Sequence, residues 1–240
     1  VTSPVTARAQ SITFVIPVYN EEENFPILWE QLTTHCDIPF TAIAVYDFDE
    51  DTTVPVLRRI IDSGEKRLRL LKNKSRGVVN AILTGFDQVS EGPVVVLMAD
   101  LSDDLNSIPK MFALYNQGYD LVAGSRYMPG GAIVGGPWLK KNLSRGAGVS
   151  LKLLRGLPTC DATNAFKMYD AKMLKKFQVE SKGGFEINLE LTVKAFLAGY
   201  RIAETPSVWR DRESGESKFQ MWKWLPSYLR WYFFAFQPKK

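Results

Sequence analysis

The run VVVLMADLSDD, Val94 to Asp104, passes from continuous apolar residues to three carboxylates, Asp100, Asp103 and Asp104. Carboxylates without His or Cys beside them are hard oxygen donors, which suit Mg2+ or Mn2+ rather than zinc. A cation held by one or two such groups commonly bridges the phosphates of a nucleotide. The competing reading is that Asp103 merely caps the helix that SIPKMF would begin. His35 is the only histidine; it reads as a helix-end residue and argues against a histidine metal site and against Ser/His chemistry. Cys36 and Cys160 show no metal-type spacing and read as free thiols of a reducing compartment. Neither GxxxxGK[ST] nor GxGxxG follows the first strand, so a P-loop NTPase and a dinucleotide-binding oxidoreductase lack support.

Side chains of this kind need a frame, and the chain spells one out as strands alternating with helices. SITFVIPVYN reads as a strand and NEEENFPILWEQL as a helix, with Phe25, Leu28, Trp29 and Leu32 on one face and Asn24 as its N-cap. TAIAVYDFDED and VPVLRRIID repeat the unit; RLRLL and GVVNAILTGFDQV, then PVVVLM and SIPKMFALYNQ, repeat it again before a fifth strand, YDLVAGSR. Continuously apolar strands alternating with helices predict an α/β fold with a mostly parallel central sheet covered on both faces. Ligands of such open sheets bind beyond the carboxyl ends of the strands. There the sequence puts Asn20 to Glu23, Asp47 to Asp51, Asp100 to Asp104, and Ser125 with Arg126. For any one of these, helix caps and ordinary loop polarity are the plain alternative.

Five segments in order, VIPVYNEEENF, VYDFDEDTT, MADLSDD, GSRYMPGG and WRDRESGESKF, resemble a family 2 glycosyltransferase of the GT-A fold, nearest to the dolichol-phosphate mannose synthase and polyprenyl-phosphate glycosyltransferase group. The resemblance runs from about Ile12 to Phe219. It implies that Pro17, Tyr19 and Glu21 contact a nucleotide, that Val45 and Asp47 lie around its base and ribose, and that Ala99 belongs to the same binding stretch. Asp51 matches a family Asp without a settled role. It implies that Arg126, Arg212 and Lys218 neutralise the departing diphosphate, a charge that must be stabilised for the nucleotide to leave. In the Asp-X-Asp metal motif, Asp100 is the second Asp and the metal ligand, Met98 stands where the first Asp would be, and Ser102 stands where some relatives use Gln. The missing carboxylate weakens the metal site or makes it depend on the donor diphosphate and on Asp103 or Asp104. Asp161 and Glu186 are the candidate carboxylates on the acceptor side, Glu186 having a plain helix N-terminal role as its alternative.

The activity so implied is transfer of a hexose from a nucleotide sugar to a polyprenyl or dolichyl phosphate, with inversion and with Mg2+ or Mn2+ as cofactor. An enzyme with a soluble acceptor, and a non-catalytic nucleotide-sugar or lipid-head-group module with a decayed metal site, are the alternatives.

The composition of the 240 residues, 45% apolar and 23% charged, is that of an ordinary globular protein. The domain reading is an N-terminal extension over 1–10, a catalytic domain over 11–218, and an amphipathic aromatic and basic segment over 219–240. The formal charge of +4 is concentrated in residues 209–240. This stretch holds Arg210, Arg212, Lys218, Lys223, Arg230, Lys239 and Lys240 against Asp211, Glu213 and Glu216, and so carries the whole net charge. Its aromatic residues, among them Trp224, Tyr228, Trp231 and Phe233, suit a membrane interface, and Lys223 and Arg230 suit anionic lipid. An aromatic packing surface for the domain or for a dimer is the competing reading. Nucleic acid is not an expected partner, because the aromatics cluster instead of interleaving along a basic groove. No run reaches the roughly 18 to 20 apolar residues that cross a bilayer. The expected location is therefore the cytoplasmic face of a membrane, held peripherally. The first residue is Val and not Met, as in a processed chain or a fragment, which leaves an anchor beyond Lys240 open.

Overall fold

The structure is a computed structural model. It describes residues 7–211 and 221–239, the last stretch by backbone alone over 221–223. In chain order the elements are β1 (Ile12–Pro17), α1 (Asn24–His35), β2 (Phe40–Tyr46), α2 (Thr53–Asp62), β3 (Leu68–Lys72), α3 (Val78–Phe86), β4 (Pro93–Val96), α4 (Ile108–Asn116) and β5 (Leu121–Ser125). There follow β6 (Ala132–Val134), α5 (Trp138–Arg155), β7 (Lys167–Asp170), α6 (Ala171–Leu174), α7 (Ile187–Leu197), β8 (Ile202–Pro206), β9 (Val208–Arg210) and α8 (Met221–Phe234).

Seven strands form one sheet in the order β3-β2-β1-β4-β7-β5-β8, and β6 pairs with β9 beside it. β7 runs antiparallel to both β4 and β5, while the other pairings are parallel. Successive side chains of a strand face opposite sides. Phe14 and Ile16 accordingly join the core under α1, α2 and α4, and Val15 joins the core under α3, α7 and α8. Gly85 lets α3 lie directly on β1, since a Cβ there would stand 2.3 Å from Val15 Cγ1. The mostly parallel sheet with helices on both faces is the expected architecture.

Two details differ from the expectation. Asn24 is the first residue of α1 and not its cap; its Nδ2 donates to Glu21 Oε2 at 2.7 Å. β7 was not legible as a strand, because its four residues KMYD begin and end on charges that the fold buries. In and just after α8, Trp231 and Ala235, each 1% exposed, belong to the main core.

Candidate active site

β4 and β5 are parallel to each other, and β7 returns between them, so the loop preceding β7 lies at their carboxyl ends. That reversal brings three loops together: 97–104 after β4, Arg126 after β5, and 161–166 before β7. In the first loop, Asp103 Oδ2 accepts the Met98 N–H at 3.0 Å, and Asp100 Oδ1 accepts the Ser102 N–H at 3.2 Å. Leu101 has a φ of 60°, a region a bulky side chain seldom adopts. Asp104 caps the 3-10 turn Leu105–Ser107 that leads into α4, accepting from Asn106 N at 3.2 Å, so the capping role considered for Asp103 is not the one it plays. Burial pushes Asp103 up to about 7; the Met98 bond opposes this and the charge of Asp100 adds to it.

Arg126 is held by Asp161 on three sides: its N and Nε donate to Oδ2 at 3.0 and 2.7 Å, and Nη2 donates to Oδ1 at 2.8 Å. Nη2 also reaches the Ser144 and Thr163 hydroxyls, each at 3.3 Å. Burial alone would lift Asp161, but the Arg126 charge and hydrogen bonds outweigh it and hold the carboxyl below its usual range. Asp161 is fully buried behind Arg126. Lys167 lies deeper still and donates to the carbonyls of Ala162, at 3.1 Å, and Asn164. Burial pushes its pKa down to about 7, against the pull of Asp161 and with the push of Arg126. Gly148 makes this loop possible beside α5: a Cβ there would meet Cys160 O at 1.9 Å.

The residues expected around a nucleotide gather at the carboxyl ends of β1 and β2. Tyr19 is 45% exposed and meets Phe48 edge-on at 5.4 Å. The Glu21 N–H donates to Thr53 Oγ1 at 2.8 Å. Asp47 accepts from Asn73 Nδ2 at 2.6 Å and from Gly77 N at 2.8 Å, which shapes the turn after β3. Pro17 closes β1 opposite Val45. Val45 and Ala99 are core residues, so any part they play lies behind the surface of the site. Arg212 and Lys218 lie outside the described residues.

A cavity of about 260 Å³ opens beside the loops after β4 and β5 and before β7; Pro17, Tyr19, Glu21, Val45 and Asp47 are not among the residues that line it. Met98, Asp100, Ser102, Asp103 and Arg126 line one side of it, with Lys140, Lys141 and Ser144 from α5 nearby. Phe185, Leu189, Leu225, Tyr228 and Leu229 make an apolar wall. Lys140 and Ser144 escaped the sequence reading, although their i, i+4 spacing puts them on one helix face. Glu186 does not line the cavity; it is buried at the start of α7, with Oε1 accepting from Gly183 N at 2.8 Å.

No three His, Cys, Asp or Glu side chains among the described residues stand together as a metal cage. Asp100 and Ser102, which line the cavity with Asp103 beside them, are instead a sparse, hard oxygen donor set of the kind that suits Mg2+ or Mn2+.

Comparison with known proteins agrees with the fold. The profile described as Glycosyl transferase family 2 matches residues 13–177. Polyprenol monophosphomannose synthase of Mycolicibacterium smegmatis is 30% identical over 223 residues, 90% of this chain and 83% of that protein. Dolichol-phosphate mannosyltransferase of Pyrococcus furiosus is 26% identical over 224 residues, 91% of this chain and 62% of that protein. Glucosyl-3-phosphoglycerate synthase from Mycobacterium tuberculosis, in complex with uridine diphosphate, matches with a TM-score of 0.67 at 16% identity, over 94% of this chain and 80% of that one. The same enzyme with Mn2+, uridine diphosphate and glucosyl-3-phosphoglycerate matches at 0.63, over 94% and 78%. At such identity these structures speak to the fold alone. The chain belongs to glycosyl transferase family 2 and is a nucleotide-sugar-dependent glycosyltransferase.

Proposed function

We propose that the protein transfers a hexose, with inversion, from a nucleotide sugar to a polyprenyl or dolichyl phosphate at a membrane surface. The cavity lining carries this reading: charged groups from the loops after β4 and β5 and from α5, together with apolar side chains from α7 and α8, suit an acceptor with a phosphate head and a hydrocarbon tail. The relatives named for polyprenol and dolichol phosphate support it. A phosphate acceptor is already anionic near neutral pH, so it needs less help from a general base than a hydroxyl does. That fits an Asp161 committed to Arg126. Arg126, Lys140 and Lys141 supply the cations that gather phosphate oxygens. Asp100, with Ser102, would hold Mg2+ or Mn2+, which when bound would stabilise the negative charge of the departing nucleoside diphosphate.

Two helices support peripheral docking on lipid, with the cytoplasmic face as the proposed side. α5 carries five basic residues and no acidic one, and exposes Trp138, Leu139, Leu143, Leu153 and Leu154. α8 buries Trp231, while Leu229 and Phe233 on it and Phe236 just after it are exposed. It therefore serves as a packing element on one side and offers an apolar face on the other. No helix among the described residues is long and apolar enough to cross a membrane.

The test is incubation with GDP-mannose or UDP-glucose, Mn2+ and a short polyprenyl phosphate in detergent. Formation of a glycosylated lipid is expected. Nucleotide binding without turnover on any lipid phosphate would instead favour a binding module.

A further inference from the structure

The turn after β1 and the start of α2 are clasped together. Asp51 Oδ1 accepts from the backbone N–H of Asn20 at 3.1 Å and of Thr53 at 2.8 Å. Thr53 Oγ1 accepts from Glu21 N at 2.8 Å, Asn20 Oδ1 from Thr52 N at 3.3 Å, and Glu22 from the Thr52 hydroxyl. Asn20 has a φ of 53°, in the left-handed region that Asn tolerates better than most residues. Asp51 is 1% exposed, and its Oδ2 is buried with no hydrogen-bond partner among the described residues. Leaving a buried carboxylate oxygen unpaired is unfavourable for folding. The bond to Thr53 N–H caps the start of α2, but the bond to Asn20 N–H reaches beyond that helix to the turn after β1.

What Asp51 does hold is the conformation of the turn between Tyr19 and Glu21. We infer that Asp51 is a positioning residue of the donor site: by fixing Asn20 in its left-handed form it sets Tyr19 and Glu21 for the nucleotide. This rests on the reading that these two residues face the donor. Without the Oδ1 acceptor, the Asn20 N–H loses its partner and the turn is free to relax to ordinary backbone angles, which redirects both neighbours.

Calorimetry with UDP and with GDP, each with Mn2+, tests this on the wild type, Asp51→Ala, Asp51→Asn and Thr53→Val. Asp51→Ala is expected to weaken nucleotide binding by about tenfold or more and to raise KM for the nucleotide sugar but not for the lipid acceptor. Asp51→Asn keeps an oxygen for both N–H groups and should regain most of the affinity. If Asp51→Ala does not fold, Thr53→Val, which removes only the Glu21 partner, should still weaken nucleotide binding several-fold. Wild-type affinity in both Asp51→Ala and Thr53→Val would overturn the inference, as would an equal loss toward donor and acceptor. A wild type that binds neither nucleotide would overturn the donor reading, and the role of Asp51 with it.

Discussion

Arg126 and Asp161, 35 positions apart, meet through paired bonds of 2.7 and 2.8 Å at the junction of β5 with the loop before β7. Asp161 is fully buried and Arg126 largely so, and removing the carboxylate leaves the guanidinium without its compensating charge, a loss of about 3–5 kcal/mol. Asp161→Ala should lower stability by that order in denaturant melts and reduce kcat. On the reading that Asp161 serves to position Arg126, Asp161→Asn should lower kcat without removing the acidic limb of the pH–rate profile.

Asp100→Asn should abolish metal-dependent turnover while circular dichroism shows an intact fold. Met98→Asp restores the carboxylate of the family motif, and calorimetry should show tighter Mn2+ binding in the presence of nucleoside diphosphate.

Lys167 gives a pH test. Its pKa falls from 10.5 unfolded to about 7 folded, so the unfolded chain binds more protons between those values. The fold pays no charging penalty above 10.5, and the penalty grows as the pH falls toward 7, so stability rises with pH across that window. From neutral pH upward, Lys167→Met should show a smaller rise than the wild type in urea melts.

Truncation before Met221 would remove Trp231 and Ala235 from the core, so it would not isolate membrane binding. Phe233→Glu combined with Leu154→Glu changes only exposed positions. The pair should reduce cosedimentation with anionic vesicles and leave the melting temperature within a few degrees. Trp231→Ala, by contrast, should cost about 3–5 kcal/mol in stability.

The parallel sheet was legible because β1, β2, β4 and β5 are short apolar runs followed by polar clusters, and local pattern decides such elements. Asp100 was legible for the same reason, since it follows closely on its strand. The clasp around Asp51 was not, because an N–H of one turn and a carboxylate of another carry no mark of their pairing in the order of residues.

By itself the sequence determined the alternation of strands and helices, the edge on which the polar groups gather, and the family, since these rest on local periodicity and motif order. The tertiary structure alone decided the reversed insertion of β7 between β4 and β5. That long-range pairing makes Asp161 the partner of Arg126 and buries Lys167 beside them, while α7 and α8 supply apolar side chains to the cavity.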